Sequence, residues 1–133
     1  MAAGDVKQFN LDLSNFLKDV NKFAEENFQN LAMRAHARVV QLTPFDTGRL
    51  MASWNLSVDV PDVRTAPLGQ QSYSSAEGMA LASSPNALNA KLGQTIYITN
   101  AVEYAIYVED GSPTTRPYKM TAMTVMEVEQ FIA

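Results

Sequence analysis

The stretch Thr43-Pro44-Phe45-Asp46-Thr47-Gly48-Arg49-Leu50-Met51-Ala52-Ser53-Trp54 constrains the fold most, because the hydrophobic period changes across it. Before it, apolar residues recur every three or four positions. After it, they alternate. Pro44 cannot continue a helix and disfavours helical geometry at Thr43. Asp46 is placed to cap a new turn over Thr47–Leu50, and Gly48 permits a tight backbone. The expectation is a long helix, a sharp corner, a short helical turn and then a strand starting near Trp54.

In the N-terminal segment the apolar positions run Phe9, Leu13, Phe16, Leu17, Val20, Phe23, then on through Phe28, Leu31, Ala35 and Val39 to Leu42. The spacing predicts one stripe of an α-helix. A continuous helix over this segment is about 50 Å long at about 1.5 Å per residue, with Asn27–Asn30 a possible bend. A domain this small cannot cover such a stripe. Phe9, Leu13, Phe16, Val20 and Phe23 are therefore candidate subunit-interface residues. The alternative is two helices folded back on each other. His36, the sole histidine, reads as a surface or interface residue rather than a ligand.

Trp54, Leu56, Val58 and Val60 alternate with polar residues, which predicts a half-buried strand ended by Pro61, with Trp54 a core anchor. From 61 to 93 both periods vanish among prolines, glycines and serines. An extended loop is expected there, with a short helix at most over Ala76–Ala82, and with Met79, Leu81, Leu88 and Leu92 awaiting cover from neighbours. Gln94–Thr99 predicts a second strand. Asn100 caps a short helix reaching Val108, stopped by Gly111 and Pro113. Pro117 opens a last helix, with Met120, Met123, Val125, Met126, Val128 and Ile132 on its apolar side. The predicted class is α+β: a long N-terminal helix on a small antiparallel sheet, a short helix and a C-terminal helix, all in one domain spanning 1–133.

With 133 residues and 47% hydrophobic content, the chain can hold a core unaided. The absence of cysteine excludes disulfides, thiol nucleophiles and thiolate metal sites. No cofactor is expected. No apolar run is long enough to span a bilayer and no signal peptide is visible, so a cytoplasmic product is expected. A net charge of −4, with no basic stripe, argues against tight nucleic-acid binding. Arg34, Arg38 and Arg49 read as solvated charges.

Asp46-Thr47-Gly48 is also the triplet of aspartic proteases, whose retroviral-type members pair one Asp per subunit across a dimer axis. Here the triplet follows Thr43-Pro44-Phe45 and precedes Arg49, and much of the chain has helical period. Asp46 as a cap explains the same residue without chemistry. No phosphate loop or nucleophile elbow is present. An aspartic-protease-like homodimer and a small soluble adaptor or chaperone module remain the alternatives to a structural role.

The pattern Pro44-x-Asp46-Thr47-Gly48-x-Leu50-x-x-Ser53, with Thr43 before it, resembles the signature of a tailed-phage neck and tail-completion family. Tyr104-Ala105, Val108-Glu109 and Gly111 resemble a second family stretch, and Arg116-Pro117-Tyr118 a third. The resemblance implies a non-enzymatic virion protein assembled in the host cytoplasm. It further implies a homo-oligomeric ring of six or twelve copies at the head–tail joint. A portal-side connector would lie on one face and a tail terminator or tail tube protein on the other, with DNA passing through the lumen without specific binding and no membrane involved. The motif residues would then set hinge geometry rather than touch a ligand.

Overall fold

The computed structural model describes residues 3–46, 48–67 and 75–132, with side chains described from residue 12 to residue 130 within those ranges. The fold is α+β. Helix α1 (Ala3–Leu42) runs without a break through Asn27–Asn30, about 60 Å at the usual rise. A short α2 (Arg49–Ala52) leads into β1 (Asn55–Val58), then α3 (Ala76–Leu81) and a 3-10 turn at Ser84–Asn89. Next come β2 (Ile96–Thr99), α4 (Ala105–Asp110) and α5 (Met120–Ile132).

β1 and β2 pair antiparallel, with Leu56 opposite Ile98. Both strands are shorter than the alternation predicts. Asp59, at φ 67, turns the chain out of the sheet ahead of Pro61. Its carboxylate accepts from Thr95 N–H and from Gln94 Nε2, at 3.1 and 2.8 Å. Val60 is consequently exposed rather than a strand residue. The outer edge of β1 is closed by side chains: Leu56 N–H donates to Ser83 Oγ, and Asn86 Nδ2 donates to the Leu56 carbonyl. Two strands alone are marginal in water, and covering the edge removes a site for stray pairing.

The core joins Val39 and Val40 of α1 to Leu50, Trp54, Ala80, Val102 and Met120. Its second lobe is made of small residues, Ala52, Ala66 and Ala76. Within 61–93 the described residues therefore hold α3 and the 3-10 turn rather than extended chain alone, and the alanines let these short pieces approach closely. Gln29 fastens α1 to this layer by donating from Nε2 to the carbonyls of Ala90 and Leu88, at 2.8 and 3.3 Å.

Three predicted helix starts differ from what forms. α2 begins at Arg49, and its N-cap is Gly48, at φ 91 and without a side-chain cap bond, so Asp46 is not the cap. Gly48 takes the position because its φ is one that a residue with a Cβ enters at a cost. Asn100 lies too early to cap α4, whose N-cap is Tyr104. Asn100 Nδ2 instead donates to the Leu50 carbonyl at 2.7 Å, tying the β2 exit to α2. α5 starts at Met120, after Lys119 at φ 51, so Pro117 precedes the helix instead of opening it. Of the predicted apolar side of α5, Met120 is buried, whereas Met123, Val125 and Met126 are exposed.

Candidate assembly interface

The corner after α1 is a closed hydrogen-bond circuit. Thr43 Oγ1 donates to the Val39 carbonyl at 2.7 Å and accepts from the Trp54 indole N–H at 2.8 Å. Trp54 is buried, and its carbonyl meets His36 Nε2 at 3.3 Å. Ser53 Oγ donates to the Arg49 carbonyl and accepts from Ala66 N–H, at 2.7 and 2.9 Å. Leu50 fills the core between them. Pro44 sits half-buried at the helix end, Asp46 is exposed, and Thr47 lies outside the described residues. Asp46 stands between two helices rather than at the end of a sheet strand, which is not the setting of a protease carboxylate.

Two residues of this corner differ from their expected places. Arg49 is buried, not solvated. Its Nε donates to the Ala66 carbonyl at 3.0 Å, its Nη1 to Glu103 at 2.9 Å, and the Tyr104 ring lies 6.0 Å from the guanidinium. Glu103 is held below the usual carboxylate range by its own backbone N–H and then by Arg49. His36 is fully buried instead of at the surface, and Nδ1 has no hydrogen-bond partner. Burial lowers its pKa, against the opposing pull of the Trp54 carbonyl. The spacing of Gln29, His36, Val40 and Thr43 puts these residues on one helical face, and that spacing is the signal that could have found the buried histidine.

The second motif stretch builds the joint between α4 and α5. Burial pushes the Glu109 carboxyl up, but hydrogen bonds from Thr121 N–H, Thr121 Oγ1 and Ala122 N–H outweigh it and hold the group below its ordinary value. Glu109 thereby caps the start of α5 from a distance. Gly111 ends α4 at φ 86 and ψ 170, and a Cβ there would stand 3.0 Å from the Pro117 ring. The Val108 carbonyl accepts from Tyr118 N–H at 2.9 Å, and Ala105 packs on the core. Arg38 and Glu127 form a two-pronged ion pair, at 2.6 and 2.9 Å, that joins α1 to α5.

The apolar stripe of α1 divides. Beyond Gln29 the helix is embedded in the core. Before it, Leu13, Phe16, Leu17, Val20 and Phe23 are 44–67% exposed. These five side chains leave on the order of 500 Å² uncovered, at the upper end for patches on monomeric proteins. The Phe9 side chain lies outside the described residues.

The profile of the family described as "Bacteriophage HK97-gp10, putative tail-component" matches residues 7–111. The chain belongs to this family. No curated protein and no solved structure shows significant similarity to it. The matched span runs from the first turns of α1, across the corner and the 61–93 stretch, to Gly111 at the end of α4. Arg116-Pro117-Tyr118 and α5 lie beyond it. As a phage tail component, the chain has its place in the virion. Among the described residues no helix is long and apolar enough to cross a membrane, and no cluster of three or more His, Asp or Glu could hold a metal.

Proposed function

We propose that this tail component is a structural protein of the neck, acting as one domain spanning 1–133 and forming a ring of six or twelve copies at the head–tail joint. One face of the ring meets a portal-side connector and the other a tail terminator or tail tube, and DNA passes through the middle. The exposed half of α1 is the surface through which the chain joins its neighbours. The observation that carries this reading is that an apolar face of this size belongs to the helix rooted in the core and has no cover within the described residues. Contacts that resemble a divided core mark obligate assemblies, and heterologous contacts that close make rings. Net negative charge suits a lumen in which DNA slides without sticking.

The test is light scattering after size exclusion, negative-stain imaging, and an assay that joins packaged heads to tails. Phe16→Glu or Val20→Glu is expected to abolish head–tail joining, since an unpaired charge would have to be buried. Helix content should stay unchanged, because Glu is a good helix former. Assembly and joining at wild-type levels in both variants would refute the reading.

A further inference from the structure

The exposed half of α1 carries enough pattern to say what covers it. Leu13, Phe16, Val20 and Phe23 are spaced three, four and three apart, the seam of a coiled-coil heptad, and Val6 and Phe9 continue the register towards the N-terminus. At about 100° per residue, this seam lies within about 60° of Val20. Of the residues that α1 presents to its own domain, Gln29, His36 and Val40 fall at roughly 160–200° from Val20, Val39 at about 100°, and Arg38, which pairs with Glu127 of α5, at about 0°. The bearing of the seam is thus the one at which α5 meets α1, some 15 residues further along the helix, yet Leu13, Phe16, Val20 and Phe23 themselves are 44–67% exposed.

The two edges of the seam are unlike. One carries Asp12, Asp19 and Glu26 at seven-residue intervals, with Asp5 in the same register position one heptad earlier. The other carries Leu17 and Ala24, without charge. Flanking charges choose the partner and orientation of such seams. Two copies of this helix paired antiparallel would set acidic edge against acidic edge. Paired parallel, they would set carboxylates against Leu17 and Ala24. The other partly exposed apolar helix of a second copy, α5, contains Glu127 and Glu129 and no Lys or Arg, so it offers no better match.

We propose that the N-terminal half of α1 docks an amphipathic helix of a different protein, apolar along a seven-residue repeat and edged with Lys or Arg. This rests on the reading of that surface as the chain's assembly contact, and it names the neighbour: a basic-edged helix of another virion component rather than a second α1. The apolar seam supplies affinity, and the acidic edge supplies partner choice and orientation.

The experiment uses the full chain and two labelled three-heptad peptides with the same Leu/Ile seam, one flanked by Lys and one by Glu, read by fluorescence anisotropy. The Lys-flanked peptide is expected to bind at least about tenfold tighter, and the preference to weaken with salt. The double variant Asp19→Lys, Glu26→Lys should reverse the preference, and Phe16→Glu should abolish binding of both peptides. Circular dichroism checks that each variant keeps its helix. Equal binding of the two peptides, or binding of neither, overturns the inference. So does self-association through the seam that the charge-reversed variant leaves intact, which would make a second copy the occupant. If Phe16→Glu stops head–tail joining while the charge-reversed variant joins normally, the assembly surface stands and only the basic-edged partner is lost.

Discussion

Removing one oxygen from the corner after α1 should cost more than its size suggests. Thr43 and Trp54 are both buried, and Thr43 Oγ1 hydrogen-bonds both the last turn of α1 and the indole. Thr43→Val keeps the side-chain shape, so no cavity forms. What is lost is the acceptor for the Trp54 N–H, and that donor is left without a partner in the core. An orphaned buried donor costs about 1–3 kcal/mol. In a Trp54→Phe background there is no indole N–H to orphan, so the same Thr43→Val change should cost only the remaining bond to the Val39 carbonyl, about 0.5–1.5 kcal/mol. The difference between the two costs is the coupling, which for residues in contact falls at about 0.5–3 kcal/mol. Urea unfolding of the wild type, both single variants and the double variant, followed by far-ultraviolet circular dichroism, measures it without relying on the tryptophan as a probe. A Thr43→Val variant within about 0.5 kcal/mol of wild type, the scatter of a neutral substitution, would refute the argument. So would an equal cost in both backgrounds.

Gly111→Ala should destabilise by about 1–3 kcal/mol, because φ 86 with ψ 170 is essentially glycine-only backbone and the new Cβ would crowd Pro117; thermal unfolding reports it. Glu109→Gln should cost about 1 kcal/mol in the same assay, in the range of a weakened helix cap. Because the folded Glu109 pKa is depressed, its contribution is fully present above the ordinary carboxylate value. The wild type should lose this contribution as pH falls through the depressed value, while Glu109→Gln shows no such loss at that step.

How far the sequence reveals the fold depends on whether a signal is periodic or contingent. The continuous α1, the antiparallel strands around Leu56 and Ile98, and the stop at Gly111 all follow from local rules. The ends of elements do not, because they depend on what else is near. Asp46 is a good cap by type, but Gly48 occupies the corner that α2 needs. Pro61 looks like the strand terminator, but Asp59 finds partners in Gln94 and Thr95, some 35 residues later, and turns the chain first. Arg49 and His36 were legible only as polar residues, and the partners that let them be buried come from segments distant in sequence. In the candidate interface, the exposed seam from Leu13 to Phe23 was readable because it is a pattern on one helix. Where its cover begins along the helix was not, because Leu31, Ala35, Val39 and Leu42 continue the same stripe into the domain.

The unbroken α1 makes residue count a mechanical quantity. One helix holds the domain at one end and the seam at the other, with no joint between them to absorb an error. One extra residue between Glu26 and Gln29 would swing the seam by about 100° and advance it by about 1.5 Å. Seven extra residues would bring it back to within about 20° of its bearing, but some 10 Å further out. The helix thus behaves as a threaded rod: reach and bearing are set together by the same number, and a neighbour that fixes one fixes the other.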